Sequence, residues 1–485
     1  MHFSKIALLV FMGASIAGCA VGPDFKAPDT PSTSRYTEKR LPAKTVSTTG
    51  AKAGNAQYFQ AGRDVPAQWW TLFHSPALNA LIRQGLKNSP TVEASQAAIR
   101  QAQENLNAAV ASGLFPNASA ALSASRERAS ESGFGVDSGS VFNLYNASVN
   151  VSYTLDLFGG ARRYREGLRA QIDYSRFQLE AAYLTLSANI VTTAVNEASL
   201  RAQIRATEEL IRSQEHQLSI VQKQFELGGV SQTDVLALRT QFAQTRATLP
   251  PLQKSLGQYR HSLAALIGTV PSEVRLPAFH LEDLKLPSEL PISLPSRLVR
   301  QRPDVRASEA LLHAASAQIG VAVANRLPQI TLNGSYGSST TESRDLFGPN
   351  SSIWSVGGAL AQTLFDAGAL HAKQRAAIAA YDEAAAEYKK TVLYAFQNVA
   401  DALHAIQMDA QALKTQAEAE KVAHAAFSLV QQQYSLGAVS YLDRLDAERQ
   451  YEETRIARIQ AQAARYADTA ALFQALGGGW WNRKS

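Results

Sequence analysis

Beginning at Tyr145 the chain alternates: Tyr145, Ala147, Val149, Val151, Tyr153, Leu155 and Leu157 take every second position, while Asn146, Ser148, Asn150, Ser152, Thr154 and Asp156 fill those between. A period of two places the first set on one face of a β-strand and the second set on the other. Weaker versions recur at Ala118 to Ser125, at Ile330, Leu332 and Tyr336 against Gln329, Thr331, Asn333 and Ser335, and at Trp354, Val356 and Leu360. The pattern predicts strands at about 117–128, 142–158, 328–338 and 352–365. Most of the rest is helical in composition. From Ala161 to about Glu226, and from Ala369 to about Ser435, the chain is rich in Ala, Gln, Glu, Leu and Arg, with no Pro and only Gly167 as internal Gly. Each such helix would extend roughly 100 Å at 1.5 Å per residue. Helices of that length and modest hydrophobicity pack side by side as coiled-coil-like walls, an arrangement a dimeric spacer would share.

These elements are written twice. Gln224-Phe-Glu-Leu-Gly-Gly-Val-Ser-Gln-Thr-Asp-Val-Leu returns as Gln433-Tyr-Ser-Leu-Gly-Ala-Val-Ser-Tyr-Leu-Asp-Arg-Leu about 210 residues later. Leu114-Phe115-Pro116-Asn117 likewise matches Arg326-Leu327-Pro328-Gln329, and Leu157-Phe158-Gly159-Gly160 matches Leu364-Phe365-Asp366-Ala367-Gly368. The plan of each half is helix, two strands, very long helix, tight turn, helix. The first repeat covers 78–268 and the second 298–476. Between them, 269–297 carries Pro271, Pro277, Pro287 and Pro291 and reads as an irregular joining segment.

Alternation of this kind suits strands with one face in lipid and one in a wet lumen, and equally suits a soluble antiparallel sheet. If the lipid reading holds, four strands are too few, because outer-membrane barrels begin at about eight and an open edge cannot be left in hydrocarbon. Several chains must then share one barrel, and three would supply twelve strands. The Gly-, Ser- and charge-rich stretches Arg126 to Ser140 and Ser339 to Asn350 suit external loops. The fold class predicted is mainly α with a membrane β-barrel portion, four strands per chain, continuous with a long helical barrel.

The N-terminus names a compartment. Lys5, the apolar run Ile6 to Met12 and the small residues Ile16-Ala17-Gly18-Cys19 have the layout of a cleaved secretory leader, 1–18; the run is too short to span a bilayer. Cys19 is the only cysteine, so no intramolecular disulfide is available. Its setting after Ala-Gly resembles the lipobox of bacterial lipoproteins, in which the cysteine is acylated, as against a plain leader with an incidental cysteine. Ala20 in place of Asp after it implies outer-membrane sorting in such lipoproteins. The formal charge of +6, one less without Lys5, is a weak excess for 485 residues, with no basic run to suggest a nucleic-acid or phospholipid patch.

The two turns carry the candidate chemistry. Leu227-Gly228-Gly229-Val230-Ser231 and Leu436-Gly437-Ala438-Val439-Ser440 place Gly where a helix ends in a left-handed residue, and Ser where the next helix needs an N-cap oxygen. Asp234 and Asp443, three residues on, sit at the positive end of the following helix. Asp443 alone is joined by Asp446 on the same helical face, so a trimer would gather six carboxylates near its axis. Like charges in a narrow pore raise one another's pKa and attract cations.

Several motifs together resemble the TolC-type outer-membrane efflux proteins, in particular their NodT/OprM-like lipoprotein branch. They are Cys19-Ala20-Val21-Gly22-Pro23-Asp24-Phe25, Trp69-Trp70 with Phe73, Pro76-Ala77-Leu78-Asn79, Leu294-Pro295-Ser296, Arg302-Pro303-Asp304-Val305-Arg306-Ala307 with Glu309, and Ala475-Leu476-Gly477-Gly478-Gly479-Trp480. The resemblance implies a trimeric twelve-stranded barrel on a periplasmic α-barrel, with 19–77 forming an acylated segment and equatorial contacts and 477–485 a tail. It implies an exit duct for small toxic compounds, fed by an inner-membrane RND transporter through a periplasmic adaptor. It also implies a closed periplasmic gate lined by Asp443 and Asp446, and adaptor docking at Leu227, Gly228, Val230, Ser231, Leu436, Gly437, Val439 and Ser440. Some relatives latch the closed state with a basic residue near Val439; here Arg444 is the near substitute. No cofactor is expected beyond a covalent lipid on Cys19.

An enzyme has little support. There is no nucleotide-binding Gly-rich loop, Gly-x-Ser-x-Gly elbow or His-Glu-x-x-His. His216, His313, His371 and His404 are scattered in helical segments, and Glu208/Glu209 and Glu452/Glu453 are adjacent pairs that solvated helix faces explain. A type I protein-secretion outlet would use the same conduit, and a passive envelope scaffold the same helices without the strands.

Overall fold

The computed structural model describes residues 20–128 and 141–483. The leader at 1–18, Cys19 and most of the 126–140 connection lie outside them. In chain order the elements are β1 (Tyr58–Ala61), α1 (Pro76–Asn88), α2 (Pro90–Leu114), β2 (Asn117–Arg128), β3 (Val141–Leu155), α3 (Gly160–Glu226) and α4 (Gln232–Leu266). After them come β4 (Glu289–Ile292), α5 (Pro295–Gln301), α6 (Pro303–Ala324), β5 (Gln329–Thr340), β6 (Ser352–Ala361), α7 (Ala369–Ser435) and α8 (Tyr441–Ala475). The chain forms two compact units, and α3 and α7 contribute residues to both.

The first unit comprises, of the described residues, 20–28, 98–128, 141–175 and 307–388 and contains the antiparallel sheet β2-β3-β5-β6. Both β-hairpins of the repeat pair internally, and β3 joins β5 across the two halves. Strand β3 stops at Leu155, short of the predicted 158, because Asp156 turns to accept the backbone N–H groups of Ala161 and Arg162 and opens α3. Asp366 does the same before α7, accepting from Gly368 and Leu370, so β6 ends at Ala361 and not near 365. The segment after Cys19 is tied down here. Val21 donates to Phe158 O at 3.0 Å. Arg163 donates to Val21 O and to Asp24 at 2.7 Å, and Phe25 stacks on His313 with centroids 4.3 Å apart.

The second unit comprises residues 29–97, 176–306 and 389–485. Its aromatic core is Trp69, Phe73, Tyr466 and Phe473, with Trp69 and Phe473 5.4 Å apart. The joining segment is more ordered than its prolines suggest: β4 pairs in parallel with β1, while Phe279, Leu281 and Leu284 are buried. Two arginines hold the chain's distant parts together. Arg302 donates to the C=O of Ala395 and of Ala475 and to Asp304 at 2.9 Å. Arg465, buried, donates to the C=O of Ala53 and Asn55 and to Gln57.

Candidate functional site

The strand register decides what the sheet can do. Cross-strand partners share a face, and the pairs Ala118↔Val151, Ala120↔Val149, Leu122↔Ala147, Val149↔Tyr336, Tyr153↔Leu332, Leu155↔Ile330, Tyr336↔Trp354 and Ile330↔Leu360 collect the apolar positions from Ala147 to Leu155 on one side, while Leu157 lies beyond the end of β3. The other side is mostly hydroxyl and amide, interrupted by Ala121, Phe142, Leu144, Ile353 and Ala359. Thr154 and Thr331 meet at 3.3 Å and Ser335 and Ser355 at 2.7 Å across it. The apolar face is uncovered: Leu122, Tyr336, Trp354, Val356 and Leu360 are each at least 66% exposed. One greasy face and one predominantly polar face on the same sheet suit the wall of an outer-membrane barrel. Both outer strands, β2 and β6, also leave a row of backbone groups unpaired within the chain. Among the described residues no helix is long and apolar enough to cross a membrane.

The turns are built in duplicate. After α3, Gly228 adopts φ +78°, its N–H donating to Phe225 O while Gly229 donates to Gln224 O at 2.7 Å. After α7, Gly437 adopts φ +75°, donating to Tyr434 O while Ala438 donates to Gln433 O at 2.9 Å. Both are Schellman closures, in which a left-handed glycine lets the last carbonyls of the helix find donors. The following helices open with identical capping boxes. Ser231 Oγ accepts from Asp234 N–H and the Asp234 carboxylate accepts from Ser231 N–H at 3.0 Å; Ser440 and Asp443 repeat this, with the carboxylate 2.9 Å from Ser440 N.

Around these turns the structure sorts the predicted residues. Leu227 and Leu436 are more than 80% exposed, and Ser231 and Ser440 are spent on capping. Val230 packs partly against a buried cluster of Val221, Val235, Leu238, Tyr441 and Leu445, with Tyr434 and Leu218 beside it. Val439 is half-buried. Asp443 and Asp446 are both exposed on one face of α8. Asp446 pairs with Arg449 at 3.5 Å. Within one chain the hydrogen bonds of the Ser440 hydroxyl and backbone N–H hold the Asp443 carboxyl below its usual range, opposite to the rise that crowding by like charges alone would give. Arg444 faces inward: its side chain is 2% exposed, its guanidinium lies 5.8 Å from the Tyr441 ring and 5.9 Å from Phe427, and its nearest acid is Glu448 at 3.9 Å.

One reading of the sequence is corrected here. Glu452 does not lie on a solvated face; it is 8% exposed. Together with Glu448 and Arg455 it forms a buried polar seam against α3, where Ser213 donates to Glu448 at 3.3 Å and Arg455 pairs with Glu209 at 2.5 Å and with Glu452 at 3.6 Å. Burial, set against the nearby Arg455 and reinforced by Glu448 and Glu209, pushes the Glu452 carboxyl up to about 7. The stripe Tyr441, Arg444, Glu448, Glu452, Arg455 and Ile459, at steps of three and four, was the available signal that this face of α8 is covered.

Comparison with known proteins gives the same answer at the level of the whole chain. Residues 81–269 and 294–478 match the Outer membrane efflux protein family, once in each repeat. The pyoverdine export outer membrane protein OpmQ of Pseudomonas putida is 31% identical over 419 residues, covering 85% of this chain and 88% of its own. Nodulation protein T of Rhizobium leguminosarum bv. viciae is 29% identical over 482 residues, covering 99% and 94%. Among solved structures, the outer-membrane channel OprN superposes with a TM-score of 0.84 at 27% identity, over 95% of this chain and 100% of that one. The open state of the MtrE outer membrane channel of Neisseria gonorrhoeae gives a TM-score of 0.79 at 26% identity, over 95% and 99%. With a sheet greasy on one face, two capped helix turns and a family match in both repeats, the chain belongs to the outer membrane efflux proteins, in their NodT/OprM-type group, and is an efflux duct of the outer membrane.

Proposed function

We propose that three copies of this chain close one twelve-stranded barrel, β6 of each copy pairing with β2 of the next, and that the duct so formed exports small toxic compounds or drugs. The observation that carries this is the pair of open edges on a sheet whose outer face is apolar: neither edge can be left in hydrocarbon, four strands cannot close, and three sets of four can. Cys19 carries the lipid that anchors the N-terminus. The chain itself performs no chemistry. Substrate arrives from an inner-membrane RND transporter through a periplasmic adaptor, which rests on the exposed Leu227-Gly228 and Leu436-Gly437 tips and the Val230-Ser231 and Val439-Ser440 steps beside them. Asp443 and Asp446 line the closed gate, and Arg444, held under Tyr441 and Phe427, fixes the helix that presents them.

The test is single-channel conductance in planar bilayers, comparing the native chain, Asp443→Ala/Asp446→Ala, and Ser440→Ala, which loosens the cap but keeps both carboxylates. A small cation-selective conductance that rises sharply only in the double variant is the expected result. Anion preference under a salt gradient would remove the acidic gate. No conductance in any of the three would remove the trimeric barrel.

A further inference from the structure

The β2–β3 hairpin changes character along its length. On the apolar face β2 presents Ala118, Ala120, Leu122 and Ala124, the last of them opposite Tyr145. The next two positions on that face are Arg126, opposite Asn143, and Arg128, opposite Val141. Glu127, the acid between them, lies on the other face, where Ser125 donates to it at 2.7 Å. All four strand–helix junctions are at the opposite end of the sheet, so the arginines stand at the end away from the helices. A face that lies in hydrocarbon turns polar where the hydrocarbon stops, and the step from the Ala124–Tyr145 row to the Arg126–Asn143 row puts the guanidiniums at the level of lipid headgroups. Two like charges on one face, two residues and roughly 7 Å apart along the strand, repel unless an anion lies between them.

Beneath them the β5–β6 connection bends back over the same apolar face. Ser338, opposite Ala147 on that face, donates to Leu346 O and lies 2.7 Å from Ser351 Oγ, which pins the connection down. Between it and the strands is an open cleft of about 610 Å³ walled by Leu122, Val149, Tyr336 and Phe347, with Phe347 82% exposed. Leu122 is four positions below Arg126 on one strand, about 13 Å. A free fatty acid or a detergent tail would fill the cleft without needing the arginines, and a soluble anion would use the arginines without the cleft. Both together select an amphiphile with an anionic head. We propose that this corner binds a phosphorylated glycolipid of the outer leaflet, with a phosphate between Arg126 and Arg128 and an acyl chain along Leu122 beneath Phe347. The assignment rests on the barrel reading above, which sets the apolar face in lipid and the hairpin ends outside. Guanidinium suits the role because its planar fork takes phosphate oxygens in pairs. Arg344, in the same connection, is spent on Glu342 at 2.6 Å and Asp345 at 3.8 Å and takes no part.

The test is native mass spectrometry of the full chain in detergent, titrated with lipid A, with the same lipid stripped of its phosphates, and with phosphatidylglycerol. Lipid A should be retained saturably, and the dephosphorylated form should bind about tenfold or more weakly, as expected for a charge-assisted contact. Arg126→Gln/Arg128→Gln should abolish that preference, Arg344→Gln should keep it, and Phe347→Ser should weaken both lipids alike. Equal binding of the two forms, an undiminished preference in the Arg126/Arg128 variant, phosphatidylglycerol binding as tightly as lipid A, or displacement of lipid A by inorganic phosphate would each overturn the proposal. Conductance of the same preparations in planar bilayers reads the barrel separately. If the native chain conducts and shows no preference, this site falls and the barrel stands; if it does not conduct, the barrel falls and the site with it.

Discussion

At the scale of single residues, two carboxyls of the second unit, the buried Glu452 and the half-buried Asp409, are pushed toward their protonated forms. Glu452 is raised from an ordinary value of 4.5 to about 7. Asp409 is raised from 3.8 to about 7, by burial first and then by its bond to Asp468, with Arg465 opposing. A carboxyl whose folded pKa exceeds its unfolded one binds more protons in the native state, so the stability it contributes is full below the unfolded value and is lost as pH rises through the folded one. The apparent melting temperature of the native protein should therefore fall between pH 5 and 8. Glu452→Gln, which keeps the neutral form at every pH, should flatten that slope; an unchanged slope would show that the seam stays ionised. Arg302 gives a second expectation. Its guanidinium serves two carbonyls and the half-exposed Asp304 carboxylate at once, so Arg302→Ala leaves the two carbonyls bare at a cost of about 2–4 kcal/mol. Arg302→Lys, with a compact charge in place of a planar fork, should recover only part of the lost melting temperature.

At the scale of elements, the duplicated turns make a matched experiment. Ser231 and Ser440 have the same backbone geometry and the same reciprocal aspartate, so Ser231→Ala and Ser440→Ala should each cost about 1 kcal/mol, with near-equal effects in thermal melts. A much larger loss at Ser440 would mean that its turn bears load beyond capping. These turns were legible in the sequence because glycine and serine do local work there, and local work leaves a local signature. The alternation from Tyr145 to Leu155 was legible for the same reason: a register over eleven paired positions with β5 requires it. What stayed hidden depends on partners distant in sequence. The stripe around Glu452 marks a covered face of α8 but nothing in it names α3 as the cover, and the prolines around β4 conceal a strand that exists only because β1 lies alongside. The proline pair Pro250-Pro251 sits inside α4 without ending it, and no local rule anticipates that.

At the scale of the molecule, the sheet's two faces should respond oppositely to the same change. Val356 lies on the apolar face, where Val356→Arg should cost about 2–4 kcal/mol near the membrane midplane and block insertion, whereas Ser355→Arg on the polar face should insert and alter conductance; heat-modifiable gel mobility of membrane fractions reads the first and bilayer recording the second. Equal tolerance at both positions would show that the apolar face is not the lipid face. The unpaired rims of β2 and β6 have a further result. If, as proposed, three copies close one barrel, each newly exported chain is incomplete until it meets two others, and the yield of finished ducts varies steeply with how many chains are present at once. Gene dosage then becomes a structural variable: a modest fall in expression removes a disproportionate share of working pores, and the surplus goes to proteases or aggregates.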